Sequence, residues 1–200
     1  MTGQGGDFSW VAELEEDYVV PTICLVEGID PDEVIRRLGA DPATARSMTV
    51  RETVDLAASG EREFVGVGRT AGISCTVESI GYVTAVPGVL RDLSRGGRAF
   101  SVRFDVNGAD SVHYAVDGDL VVYAEPHGVV ESLRPEDPRW DVAWSEGLFT
   151  EEGQWGPNVL ALAESVMGAP VRPSLFTEPL ATVELPSAAR YAGTSHWDIP

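Results

Sequence analysis

Two hundred residues, 44% of them hydrophobic, suffice for one packed domain, and no apolar run approaches the roughly 20 residues a membrane helix needs. Thirty-two acidic against 14 basic residues leave a net charge of −18, a surface that repels DNA, RNA and anionic lipid. Every base is an arginine, so the chain offers no Schiff-base lysine, no anchor for pyridoxal phosphate and no P-loop lysine.

The first ten residues contain neither a basic stretch nor an apolar core, and no secretory signal is expected. An apolar run over 19–27 predicts a strand. The stretch "GIDPDEVIRRLGAD" behind it predicts a helix over 31–38. Asp30 is suited to the N-cap, Pro31 to the first helical position, and Glu33 stands three residues after the cap. Val34, Ile35 and Leu38 form one apolar stripe, Arg36 and Arg37 sit near the negative end of the helix dipole, and Gly39 supplies the stop. Each residue has a structural task, so the segment reads as a capped helix and not as a site.

The pair Thr49 and Glu52 is a capping box that predicts a helix over 49–59. Residues 63–69 and 73–79, rich in Val, Ile, Thr and Phe, read as two strands joined by a tight turn. Gly66, Gly68 and Ala71 satisfy the letters of the dinucleotide-binding fingerprint, but that fingerprint requires a helix behind it. A strand-like segment follows instead, so these glycines are expected to shape a hairpin. "PGVLRDLSRGG" predicts a helix over 87–95.

Three strands are expected at 98–106, 111–117 and 119–125. Asp117-Gly118 is the signature of a two-residue hairpin turn. Between the first two strands an odd-length loop sets Phe100, Val102 and Phe104 on one face with Val112, Tyr114 and Val116. Ser101, Arg103, Asp105 and His113 then share the other face, with His113 expected to be solvent-exposed. Farther on, Asp137 and Pro138 start a short helix that sets Trp140 and Trp144 side by side, and residues 157–167 form an amphipathic helix closed by Gly168. Residues 173–200, with prolines at 173, 179, 186 and 200, read as a C-terminal arm or tail. The expectation is therefore a single α+β domain over 1–172, a mainly antiparallel sheet packed against several short helices.

Metal chemistry finds little support: His113, His127 and His196 never fall in ligand spacing, and Cys24 and Cys75 have no near partner. The cysteines read as reduced, buried hydrophobes of a cytoplasmic protein. No metal and no cofactor is implied. Trp140 and Trp144 stand among Asp137, Asp141 and Glu146, and aromatic anchors rimmed by acids suit docking of a basic protein.

"CLVEGIDPDEVIRRLGA", "CTVESIGYVTAV" and "LSRGGRAFSVRFDVNGADSVHYAVDGDLVVYAEP" together resemble a family of uncharacterised proteins from Streptomyces and related actinobacteria, a domain of unknown function. The likeness runs from about Trp10 to Met167. It departs at Ile80, where such sequences often carry a polar turn residue. It implies a cytoplasmic actinobacterial protein and brings no activity, cofactor or catalytic residue.

The preferred functional expectation is a non-catalytic, immunity-like binding or regulatory module. It would dock a basic protein through Trp140, Trp144, Asp137, Asp141 and Glu146, without nucleic acid or membrane, in an oligomeric state left open. The alternative is an enzyme of actinobacterial specialised metabolism using Glu78, Asp105 and His113 as acid–base groups. A nucleic-acid mimic ranks last, because the acids form no regular stripe.

Overall fold

The structure, a computed structural model, describes Phe8, Trp10 and residues 21–57, 62–105, 110–125, 130–131 and 155–186. Nine strands occur among these residues: β1 Thr22–Val26, β2 Arg46–Met48, β3 Phe64–Thr70, β4 Ile73–Glu78, β5 Arg98–Arg103, β6 Ser111–Val116, β7 Asp119–Ala124, β8 Val130–Glu131 and β9 Leu180–Glu184. They form one sheet in the order β2-β9-β3-β4-β1-β5-β6-β7-β8. Every neighbouring pair is antiparallel.

The helices are α1 Pro31–Arg37, α2 Val50–Ala57, α3 Pro87–Ser94, α4 Trp155–Met167 and α5 Ser174–Thr177. Each begins or ends within about two residues of its expected bounds where one was expected. The caps take the anticipated form. Glu33 N donates to Asp30 Oδ1 at 2.8 Å. Thr49 and Glu52 close a reciprocal box: Thr49 N donates to Glu52 Oε2 at 2.7 Å, and Glu52 N to Thr49 Oγ1 at 3.3 Å. Arg37, at the end of α1, donates to the carbonyls of Asp92 and Arg95 and so satisfies the end of α3.

β1 lies in the middle of the sheet and is buried on both faces. Ile23 and Leu25 join α2, α4 and α5 in one core, while Cys24 and Val26 join α1 and α3 in the other. The α+β domain is thus a sheet covered on both sides, which explains why the apolar run before "EGIDPDE" is continuous instead of alternating.

The odd-loop register holds. Phe100 lies opposite Tyr114 and Val102 opposite Val112, and the turn Asp117-Gly118 (φ 50° and 86°) joins Val116 to Asp119. One expectation fails. His113 is 1% exposed, because α3 and the 3-10 turn Val83–Ala85 cover the face it shares with Ser101. Two-sided covering was not readable from the alternation of β6 alone.

β3 and β4 form the expected hairpin, with no helix behind Gly66 and Gly68. Their lack of a side chain has a local cause: a Cβ at either position would stand 2.9 or 2.8 Å from the side chain of Leu180. Leu180 opens β9, which inserts between β2 and β3. Within the segment expected as an arm or tail the described residues include α5 and β9, so the sheet takes in a strand beyond residue 172.

Candidate functional site

β4 ends at Glu78, and the chain then turns through Ser79–Tyr82 into the 3-10 turn Val83–Ala85 and α3. Glu78 is fully buried. Its carboxylate accepts from Val83 N at 2.8 Å, Thr84 N at 2.7 Å and Thr84 Oγ1 at 2.5 Å. Tyr82, the residue ahead of the 3-10 turn, makes no capping bond of its own. Glu78 thus caps that turn from the end of the adjoining strand. Burial pushes its pKa up to about 7; the bonds from Thr84 and Val83 pull the other way and lose. Glu63, near enough to raise Glu78 further by its charge, is itself shifted up by burial.

The rest of the turn is tied down independently. Thr22 Oγ1 donates to Gly81 O at 2.8 Å, and the hydroxyls of Thr53 and Ser79 meet at 2.8 Å. Gly81 has φ +131°, and a Cβ there would lie 3.1 Å from Glu78 Oε2. Only glycine follows this path without strain. Over the turn, the guanidinium of Arg103 stacks on the ring of Tyr82 at 4.7 Å and pairs with Asp105.

Glu78, Asp105 and His113 do not converge. Glu78 lies opposite Thr22, Thr22 opposite Arg103, and Arg103 opposite Ser111. Glu78 and His113 are therefore three strands and two residues apart, about 16 Å at 4.8 Å per strand and 3.3 Å per residue. Asp105 lies four positions beyond Ser101, the cross-strand partner of His113, or about 13 Å along the strand. His113 instead stacks near Tyr123, with ring centroids 4.9 Å apart.

Between Glu78 and His113 runs a row of small buried polar groups, in which Thr76 pairs across with Cys24 and Cys24 with Ser101. Thr76 Oγ1 and Ser101 Oγ make no hydrogen bond among the described residues. Cys24 and Cys75 are both fully buried and free, and they project to opposite faces because Leu25, not Cys24, faces Cys75. Burial raises both thiols, Cys75 to about 11. Among the described residues no group of three or more His, Cys, Asp or Glu side chains is placed to hold a metal ion, and no helix is long and apolar enough to cross a membrane. Trp140, Trp144, Asp137, Asp141 and Glu146 lie outside the described residues.

Sequence reasoning noted Ile80 only as a departure from the family pattern and missed Tyr82. Both stand exposed in the turn that Glu78 anchors. A signal was present: two large apolar side chains flank a glycine, "IGY", in a short turn between a strand and a proline-started helix, where polar residues are usual.

Residues 1–138 match a family of unknown function, DUF6461. The chain belongs to this family. The match takes in β1 to β8 and the Glu78 turn, whereas α4, α5 and β9 lie beyond the matched residues. No curated protein and no solved structure matches the chain.

Proposed function

We propose that this DUF6461 member is a non-catalytic binding or regulatory module, immunity-like in kind, that docks a basic protein partner. The carrying observation is the state of Glu78. It has the pKa of a general base, yet its oxygens take three donors from the chain's own turn. A carboxylate so engaged serves its fold. The charge of −18 supports a cationic partner and argues against nucleic acid or an anionic membrane. The all-arginine, Ala-, Gly- and Val-rich composition supports a high-GC actinobacterial source, and the two free, buried cysteines suit a reducing cytoplasm. On this reading Trp140 and Trp144, rimmed by Asp137, Asp141 and Glu146, contact the partner.

The test is capture of the partner from a lysate of the source organism. Trp140→Ala and Trp144→Ala should abolish capture and leave the melting temperature unchanged; added salt should slow association by screening over a Debye length of about 8 Å. If both variants lose several degrees of stability, the tryptophans are core and the site is lost.

A second reading keeps one specific support: a carboxyl with a pKa of about 7 is tuned for proton transfer near neutrality. The enzyme of specialised metabolism expected to work through Glu78, Asp105 and His113 would then rest on Glu78, because Asp105 and His113 do not converge with it. Turnover of any metabolite that Glu78→Gln abolishes, with the fold intact by circular dichroism, would favour it over the module.

A further inference from the structure

Among the described residues, the large hydrophobic side chains that stand exposed are Ile80, at 44%, and Tyr82, at 48%. They are two positions apart in one turn. Isolated apolar side chains on a surface are ordinary; two in a single turn form a small apolar patch that a partner can cover.

The turn is rigid where it needs to be. Ser79 is bonded to Thr53, Gly81 to Thr22, and Val83 and Thr84 to Glu78, while Arg103 braces the Tyr82 ring from above. These bonds run to α2, β1, β4 and β5, so four elements hold the two side chains out in water. A presented, preorganised tyrosine loses little conformational entropy on binding, and tyrosine is enriched among residues that dominate interface energy.

The surroundings choose the partner's charge. Arg103 is paired with Asp105, and Arg62, just before β3, with Glu184. Because neighbouring strands alternate in direction, the start of β3, the end of β4, the start of β6 and the end of β7 all lie at one end of the sheet. Asp110 and Glu125 flank those strand ends and add negative charge there. A second copy of a chain of net charge −18 is a poor match for this end; a cationic segment is a good one.

We propose that Ile80 and Tyr82 are the apolar centre of a docking site for a basic peptide segment of a partner protein, with the acidic end of the sheet as its rim. The inference rests on the binding-module reading and gives it a site separate from Trp140 and Trp144.

The experiment selects a phage-displayed random dodecapeptide library on the full chain, then titrates the enriched peptides as synthetic ligands. Peptides combining Lys or Arg with an apolar side chain are expected. Their Kd should rise at least tenfold on Tyr82→Ala or Ile80→Ser, remain within twofold for Tyr82→Phe, and be indifferent to Trp140→Ala with Trp144→Ala. Enriched basic peptides whose binding depends on the tryptophans and not on Tyr82 would overturn this site and leave the binding-module reading standing. Enrichment of neutral or acidic peptides, or of none, would overturn both. A dimer in sedimentation velocity that Tyr82→Ala dissociates would replace the peptide by a second copy and overturn the proposal.

Discussion

Thr84 meets Glu78 twice, donating from its backbone nitrogen at 2.7 Å and from its hydroxyl at 2.5 Å. With Val83 N on the second oxygen, this relationship joins the end of β4 to the start of the segment that roofs one face of the sheet. Glu78→Ala leaves two buried amides without an acceptor. Each such group costs on the order of 1–3 kcal/mol. Urea denaturation should therefore show a loss of about 3 kcal/mol, and a loss below 1 kcal/mol would mean that the turn finds other acceptors.

The same carboxyl makes stability depend on pH. Its folded pKa, about 7, lies above the ordinary 4.5, so the fold prefers the protonated form. Its contribution is complete below pH 4.5 and is lost as pH rises through 7, at most about 3 kcal/mol for a shift of that size. Glu27, Glu33, Glu52 and Glu184 are shifted down by hydrogen bonds, to Arg98, Arg37, Thr49 and Arg62 in turn. Their contributions disappear only as pH falls below 4.5, outside this window. Thermal melts should show stability increasing from pH 7.5 to pH 5, with the slope much reduced in Glu78→Gln. An equal slope in both proteins would remove Glu78 as its source.

Buried hydroxyls on the same face divide into bonded and unbonded ones. Thr22 holds Gly81 O, whereas Thr76 and Ser101 have no hydrogen-bond partner among the described residues. Replacing a bonded hydroxyl by a methyl costs about 1 kcal/mol, while removing an unbonded one relieves a desolvation penalty. Thr22→Val should destabilise by about 1 kcal/mol; Thr76→Val and Ser101→Ala should be neutral or stabilising by up to about 1 kcal/mol. The reverse order in chemical denaturation would contradict this division.

Two adjacent glycines should respond differently. A Cβ on Gly97 would stand 2.1 Å from Glu27 O, a backbone atom that moves only with β1, whereas a Cβ on Gly96 (φ +82°) meets nothing within 4 Å. Gly96→Ala pays only for the left-handed backbone, about 1 kcal/mol. Gly97→Ala forces two backbone segments apart and should cost about 3 kcal/mol, the upper end of the overpacking range. Similar melting temperatures for the two variants would place the crossing of residues 27–28 and 96–97 elsewhere.

Native protein at pH 8 should give no rapid reaction with a disulfide thiol reagent, and two thiols after unfolding. Both cysteines are fully buried and their thiols are raised by burial, so the reactive thiolate is scarce. A fast-reacting thiol in the folded protein would mean that one face of β1 or β4 opens.

Much of the local architecture was legible before any coordinate. Asp30 with Glu33 and Thr49 with Glu52 are contacts three residues apart, so their geometry is written in the spacing. Asp117-Gly118 imposes positive φ on both turn residues and thereby pins β6 against β7. Alternation alone set Phe100 and Val102 on the face of Val112 and Tyr114. The absence of lysine ruled out whole classes of chemistry without any fold.

What the tertiary structure decided involves partners far apart along the chain. Arg46 pairs with Thr182 and Val65 with Val183, so β9 occupies its place between β2 and β3 through contacts that no local pattern announces. Glu78 and His113 carry no mark of burial in their own strands; the segment from Val83 to Ser94 must first fold over them. That covering desolvates Glu78 and leaves Ile80 and Tyr82 outside. Capping, turns and register are short-range geometry, and the sequence by itself determined them. Burial depends on which distant surface arrives, and only the assembled sheet with its two helical layers settles that.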